Sequence, residues 1–254
     1  MPGAIDHLVI AVADPDAAAR ELEAKLGIAA TGGGDHRGVG TYNRLAFLGD
    51  AYLELIGVRD EAAATRWPVG AATLRALRAG GGLATYAVLD DQLDVTVARL
   101  RGAGSTIGQV TPGSRTRPDG EKVEWWTATV DELGPERPPF LIQHAYAGAE
   151  WGDEALERRR RFVHPVGTPV VLAGLDIPTG DPASLAETYA RDLGLSFASG
   201  PDPATLEIGP HEVRLLPHGT VPVVHLVGGA VAVSAELIRV RFELTPPPGS
   251  APTS

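Results

Sequence analysis

Two side chains in the first sixty residues are of types that can do chemistry together. His7 lies in AIDHLVIAV and Glu54 in AYLELIGV, and both runs alternate like strands. Successive side chains on a strand point to opposite faces, so residues two apart share an environment. Tyr52, Glu54 and Ile56 then share one face, while Leu53, Leu55 and Gly57 form the more apolar other face. Likewise His7 falls with Ile5 and Val9, and Leu8, Ile10 and Val12 make the greasier back. Both His7 and Glu54 are expected to face a cavity. Imidazole and carboxylate suit a divalent metal such as Zn, Fe, Mn or Ni. A buried carboxylate without a partner is costly, which favours a metal or other cation beside Glu54. The alternative is a wet barrel mouth where Glu54 pairs with Arg44 across the hairpin.

Further candidates follow along the chain. His36 sits in GGGDHRGVG, which lacks the Gly-Lys-Ser/Thr ending of a phosphate loop, so no nucleotide cofactor is expected. Two readings of His36 stay open: a mobile lid over the cavity, sharing proton transfer with Glu54, or an exposed loop histidine. Tyr42 and Asn43 are substrate-binding candidates on the entering strand, although Asn43 can equally pair a strand edge. Trp125 and Trp126 point to opposite faces, one suited to a pocket and one to packing under a helix. His144, His164, His211, His218 and His225 show no ligand spacing and read as structural or exposed. No nucleophile motif is present; GSTIG at 104–108 has neither the spacing nor the strand-to-helix setting of an elbow.

These residues need elements to hold them. DPDAAARELEAKLGI from Asp14 has a capping Asp, a Pro suited to the first turn, Leu22 and Leu26 one turn apart, and a terminating Gly27. The order is strand 4–12, helix 15–26, a glycine-rich loop, and a hairpin turning at Gly49-Asp50. That order returns from 83, with a helix marked by Leu93, Val97 and Leu100 and strands near 107–110, 121–130 and 140–146. It returns again from 168, where DPASLAETYARDLGL repeats the Asp-Pro start and Leu-Gly end of the first helix. The expected domains are paired modules over 1–146, a helical linker over 147–167, degenerate third and fourth modules over 168–245, and a disordered tail over 246–254. One strand–helix–strands unit covers a single sheet face, so two side by side should form a curved sheet around a cavity.

A net charge of -10 and a pI near 5.1 disfavour a nucleic-acid partner, because phosphate backbones are met with Lys and Arg. The RRRR at 158–161 is offset by nearby acids and reads as a solvated helix face. No run approaches a membrane span, the start carries no export pattern, and the absence of cysteine fits a reducing compartment, so the expected location is cytoplasmic.

In order along the chain, IDHLVIAVADPDAA with its closing LG, the glycine-rich stretch with His36, GTYNRLAFLGDAYLELIGV, PDGEKVEWW and PPFLIQH resemble the glyoxalase-like proteins of the vicinal oxygen chelate superfamily. The likeness covers most of 4–146 and, more weakly, the repeat after 168. It implies an α+β fold of repeated βαβββ modules paired into open, curved mixed sheets around a metal, often with pairing between chains as a homodimer. Reactions in the superfamily include isomerisation, epimerisation, ring-opening dioxygenation and thiol transfer to epoxides, and some members bind drugs without metal. By resemblance His7 and Glu54 are the metal ligands of the first module and Gln143 that of the second, ligating through its carbonyl oxygen, with His144 on the opposite face. Trp125 is assigned to the pocket. GGLATYAVL offers no histidine for the second module's first strand, so either waters and His36 complete the sphere or no metal binds tightly. The function implied is a divalent-metal-dependent lyase, isomerase or dioxygenase acting on vicinal oxygens. The alternatives are a metal-independent binding or sequestering protein of the bleomycin-resistance type, and a vestigial pocket in a fold that mediates assembly.

Overall fold

The structure is a computed structural model that describes residues 3–36, 38–117, 119–198 and 204–249. Its first half begins with β1 (Ala4–Ala11) and α1 (Pro15–Leu26), followed by β2 (Gly32–His36), β3 (Thr41–Leu48) and β4 (Ala51–Val58). Asp14 caps α1 by accepting from the backbone N–H of Asp16 and Ala17, and Gly27 ends it in the left-handed region at φ 64°. Residues 61–78 add helices α2 (Glu61–Ala64) and α3 (Pro68–Arg78), which the alternating pattern did not foreshadow. The second half repeats the order with β5 (Gly82–Leu89), α4 (Leu93–Gly102), β6 (Thr111–Thr116), β7 (Lys122–Ala128) and β8 (Phe140–His144).

The halves join along antiparallel β1 and β5, and the far edges meet through the single pair Asp35–Thr116 of β2 and β6. Two curved four-stranded sheets thereby close into a barrel ordered β1-β4-β3-β2-β6-β7-β8-β5. The glycine-rich stretch is therefore strand β2 and not the expected loop. Its glycines are required by crowding: a Cβ on Gly34 would lie 2.8 Å from the Thr116 carbonyl oxygen, and Gly33 holds φ 130° with the Asn43 carbonyl against it. The expected strand at 107–110 is also displaced, since Ile107 is buried in a loop and pairing starts at Thr111.

Helices α5 (Gly148–Trp151) and α6 (Asp153–Arg160) lead to a second sheet. It contains β9 (Val171–Pro178), α7 (Pro182–Leu193), β10 (Ala204–Ile208), β11 (His211–Leu216), β12 (Val223–Val227), β13 (Val233–Leu237) and β14 (Val240–Thr245), with strand order β10-β11-β9-β12-β14-β13. The two matching sequence stretches form matching helices: α7 is capped by Asp181 and closed by Gly194 at φ 67°, as α1 is by Asp14 and Gly27. One apolar core joins the outer face of β1 and β4, the helices and the second sheet, running from Leu8, Leu53 and Leu22 to Leu175, Val213 and Phe242. Two buried tyrosines cross it, with the Tyr86 hydroxyl donating to that of Tyr189 at 3.1 Å. The end of the tail, 250–254, lies outside the described residues.

The arginine run is not uniformly solvated. Arg158, Arg160 and Arg161 are exposed, but Arg159 is buried with its guanidinium over the rings of Phe47 and Trp151 at 4.0 and 4.1 Å.

Candidate functional site

The barrel encloses a cavity of about 520 Å³, within the usual range of small-molecule sites. Alternation decides which strand residues reach it. His7 of β1, Asn43 and Leu45 of β3, Tyr52, Glu54 and Ile56 of β4, Trp125 of β7, and Phe140, Ile142 and His144 of β8 all line it. His36 lines it too, from the end of β2, with its ring edge-on to Trp125 at 6.0 Å between centroids. It is a strand residue in the cavity wall and not an exposed loop histidine.

Two predicted binding residues are elsewhere. Tyr42 neighbours Asn43 and so takes the outer face, where the Arg59 guanidinium lies over its ring at 4.1 Å. Gln143 also faces outward: its Oε1 accepts from the Leu93 N–H at 3.1 Å, satisfying an orphan donor at the start of α4. The parity assigned to β8 was one residue off, and His144 holds the inward position given to Gln143. Replacing Gln143 with alanine is expected to cost about 1 kcal/mol in denaturant unfolding, with no loss of ligand binding.

Within the cavity wall the polar groups form one chain. The Asn43 Oδ1 accepts from the Gly34 N–H at 2.9 Å, which turns its amide nitrogen toward Glu54 Oε1 at 2.6 Å and His36 Nε2 at 3.3 Å. His36 Nδ1 lies 2.7 Å from Thr41 Oγ1. Burial pushes the His36 pKa below the ordinary imidazole value, with Glu54 opposing that shift in part. Glu54 Oε2 stands 3.6 Å from His7 Nε2, and His7 stacks on Tyr52 with ring centroids 4.5 Å apart. Arg44, the alternative partner considered for Glu54, bonds Asp16 on the outer face instead.

Asp6 was not singled out by the sequence, yet it organises the site. A bulge between Ile5 and His7 in the β1–β5 ladder lets Ile5 join the outer core while Asp6 is buried between two imidazoles. Its oxygens lie 2.5 Å from His7 Nδ1 and 2.9 Å from His144 Nε2. Burial alone would raise the Asp6 carboxyl, but the charge and hydrogen bonds of His144 and His7 outweigh it and hold the group well below the usual carboxylate range. His144 also stacks on Trp151 from α5 at 3.4 Å, and its Nδ1 has no partner among the described residues. Beside it, Arg115 of β6 is buried against Glu150, which Arg117 also reaches at 2.9 Å.

The strand registers show how far these residues suit a divalent metal. In the first half His7 pairs with Tyr52, two residues before Glu54; in the second, Ala87 pairs with Phe140, two residues before Ile142. Across the β1–β5 ladder His7 lies opposite Ala87, and β8 lines the cavity with Phe140, Ile142 and His144, so neither β5 nor β8 supplies a carboxylate. His144, the nitrogen that half does supply, is engaged with Asp6. Among the described residues no three His, Asp or Glu side chains converge as a metal-binding group. The donor set does not fit a divalent centre shared between the two halves.

No curated protein matches the chain. Among solved structures, a hypothetical protein from Staphylococcus aureus is similar over 95% of this chain and 98% of its own, with a TM-score of 0.78 at 14% identity, and so shares the whole fold. A methylmalonyl-CoA epimerase variant from Streptomyces coelicolor, in complex with 2-nitronate-propionyl-CoA, aligns over 57% of this chain and 99% of its own at 19% identity and a TM-score of 0.43. The Mycobacterium tuberculosis methylmalonyl-CoA epimerase aligns over 56% and 88% at 21% identity and 0.42. The profile of the glyoxalase-like domain matches residues 5–193, from β1 through α7. That match takes in both barrel halves and every residue of the cavity wall described above, and the chain is thus a member of the glyoxalase-like family of the vicinal oxygen chelate superfamily.

Proposed function

We propose that this protein binds a small organic molecule in the barrel without a protein-held divalent metal. The observation that carries this reading is that β5 and β8 supply no carboxylate to the cavity, with Ala87 opposite His7 and Ile142 in the wall. The cavity is consequently two-sided. Glu54, His7, Asn43 and His36 supply a polar wall, and Ile142, Phe140, Val123 and Trp125 an apolar one. Such a lining suits a ligand with an apolar body and one polar head, the body held by burial at roughly 25 cal/mol per Å² of apolar surface. Cytoplasmic location, resting on the sequence pattern, and pairing into a homodimer, resting on the resemblance, stay part of the proposal.

A second reading, an enzyme that moves a proton, is favoured by one feature. Asp6 on His7 Nδ1 fixes the ring so that Nε2 is presented toward the cavity, the arrangement a general base requires. In that case Glu54 and His7 exchange protons with the ligand head, and bound ligand would take up deuterium from D2O.

Metal analysis tests the first reading. Protein purified without a histidine tag, equilibrated with Zn, Mn, Ni or Fe(II) and then dialysed, is expected to retain far less than one equivalent, with the His7→Ala variant no different. Stoichiometric retention lost in His7→Ala would overturn it.

A further inference from the structure

We infer that this protein carries a second ligand site, outside the barrel, that takes a zwitterion of the amino-acid type with an apolar side chain. The site is a groove of about 530 Å³ where the barrel meets the second sheet. Ala72 and Ala76 of α3 and Leu83 of β5 line it from the barrel, and the β11–β12 loop and the β13–β14 turn line it from the second sheet. Junctions between packed units are favoured places for small-molecule sites. The inference is independent of how the barrel cavity is used.

The turn at its edge breaks a local rule. Leu237 pairs with Val240, so Ile238 and Arg239 form a two-residue hairpin turn, and both hold positive φ, at 50° and 57°. Such a turn ordinarily takes Asn-Gly or Asp-Gly, because a Cβ is strained in the left-handed region and a branched one most of all. Ile238 has a packing reason to be there. It is partly buried against the core and abuts Gly81, where an added Cβ would lie 2.7 Å from the Ile238 Cγ2. Arg239 has no comparable role: it is exposed, it lines the groove, and its side chain makes no hydrogen bond or ion pair among the described residues. A residue kept in a strained position without a structural partner points to a ligand.

Charge sets the ligand class. Three charged side chains line the groove, Arg75, Glu136 and Arg239. Arg75 is already held, by Glu132 at 3.4 Å and by the Leu133 carbonyl at 2.6 Å. Glu136, from the loop between β7 and β8, makes no ion pair among the described residues and so does not answer Arg239. One unanswered cation and one unanswered anion therefore share the groove, on separate segments of chain. A guanidinium fork matches a carboxylate, and a carboxylate accepts from an ammonium. A simple anion would leave Glu136 without a partner, and a simple cation would leave Arg239 without one. An amino-acid zwitterion answers both, and the alanines and Leu83 give its apolar side chain a surface to cover.

The experiment titrates three probes into the 15N-labelled full chain: L-leucine, leucinamide, which lacks the carboxylate, and N-acetyl-L-leucine, which lacks the ammonium. Amide shifts at Gly81, Gly134 and Gly219 report the groove, and those at Gly70 and Gly113 report the barrel cavity. Leucine is expected to shift the groove glycines and to bind about threefold to fivefold tighter than either capped form, the margin of one partly exposed charge pair. Arg239→Gly suits the left-handed turn, so it should keep or raise the urea midpoint while erasing the advantage of leucine over leucinamide. Glu136→Gln should erase its advantage over N-acetyl-L-leucine. Equal binding of the three probes, an advantage that survives the matching variant, or shifts confined to the barrel glycines overturns the inference and leaves the barrel reading untouched. A urea midpoint lowered by Arg239→Gly would assign the arginine to folding and overturn it as well.

Discussion

Replacing Asp6 with alanine is expected to destabilise the protein by about 3–5 kcal/mol, the cost of removing one member of a buried charged network and stranding the rest. Asp6 joins the two barrel halves through polar contacts, with His7 from β1 on one oxygen and His144 from β8 on the other. All three residues are at most 3% exposed, so water does not readily replace the lost carboxylate. Asp6→Asn, which keeps one acceptor oxygen and loses the charge, should recover part of the loss. Because its folded pKa is depressed, the contribution of Asp6 is present above the ordinary Asp value near 3.8 and is lost as pH falls below it. Urea unfolding at neutral pH checks the magnitude, and an Asp6→Ala stability within about 1 kcal/mol of wild type would show that the bridge contributes little. The variant should also weaken ligand binding, since His7 would no longer be held with Nε2 toward Glu54.

Mild acid should destabilise the protein well before its carboxylates titrate. His211, on β11 of the second sheet, accepts the Ile5 N–H at 3.0 Å and so ties that sheet to β1. Burial pushes its pKa down from 6.5 to about 4, with Asp50 opposing slightly. The unfolded chain therefore binds a proton that the folded chain refuses between those values. Stability from this group is complete above about 6.5, declines as pH falls, and levels off below about 4, a loss on the order of 3 kcal/mol in all. His164 moves in the same direction, being buried with Nδ1 accepting from the Ala29 N–H, as does His36. The measured slope should therefore exceed that of one proton. His211→Gln, whose amide oxygen can still accept from Ile5, is expected to reduce the slope by about one proton. A midpoint flat from pH 7 to 5 would mean that these rings are not held neutral by the fold.

Both predictions turn on side chains that the sequence left unmarked, and the reason is the same in each case. Alternation along a strand is local, so it correctly placed His7, Glu54, Tyr52 and Ile56 inward and Leu8, Leu53 and Leu55 outward. The parity of one strand relative to another is set by pairing, and a bulge resets it within a strand. Nothing local in FLIQH states that His144 and not Gln143 faces the hollow. Nothing in AIDHL states that a bulge turns Asp6 between two imidazoles and sends Ile5 outward.

The sequence by itself determined part of the elements and the family: helices starting at Asp14-Pro15 and Asp181-Pro182, alternating strands, an internal repeat, and the order of motifs matched by the glyoxalase-like domain. Helix ends and strand faces are written in neighbouring residues, so one chain suffices to read them. Only the tertiary structure decided what Glu54 faces. Its surroundings come from β1, β2 and β3, while Ala87 opposite His7 and Ile142 in the cavity wall come from β5 and β8. Electrostatic partnership in a closed barrel depends on which strands are neighbours and in what register, quantities that exist only once the chain has folded back on itself.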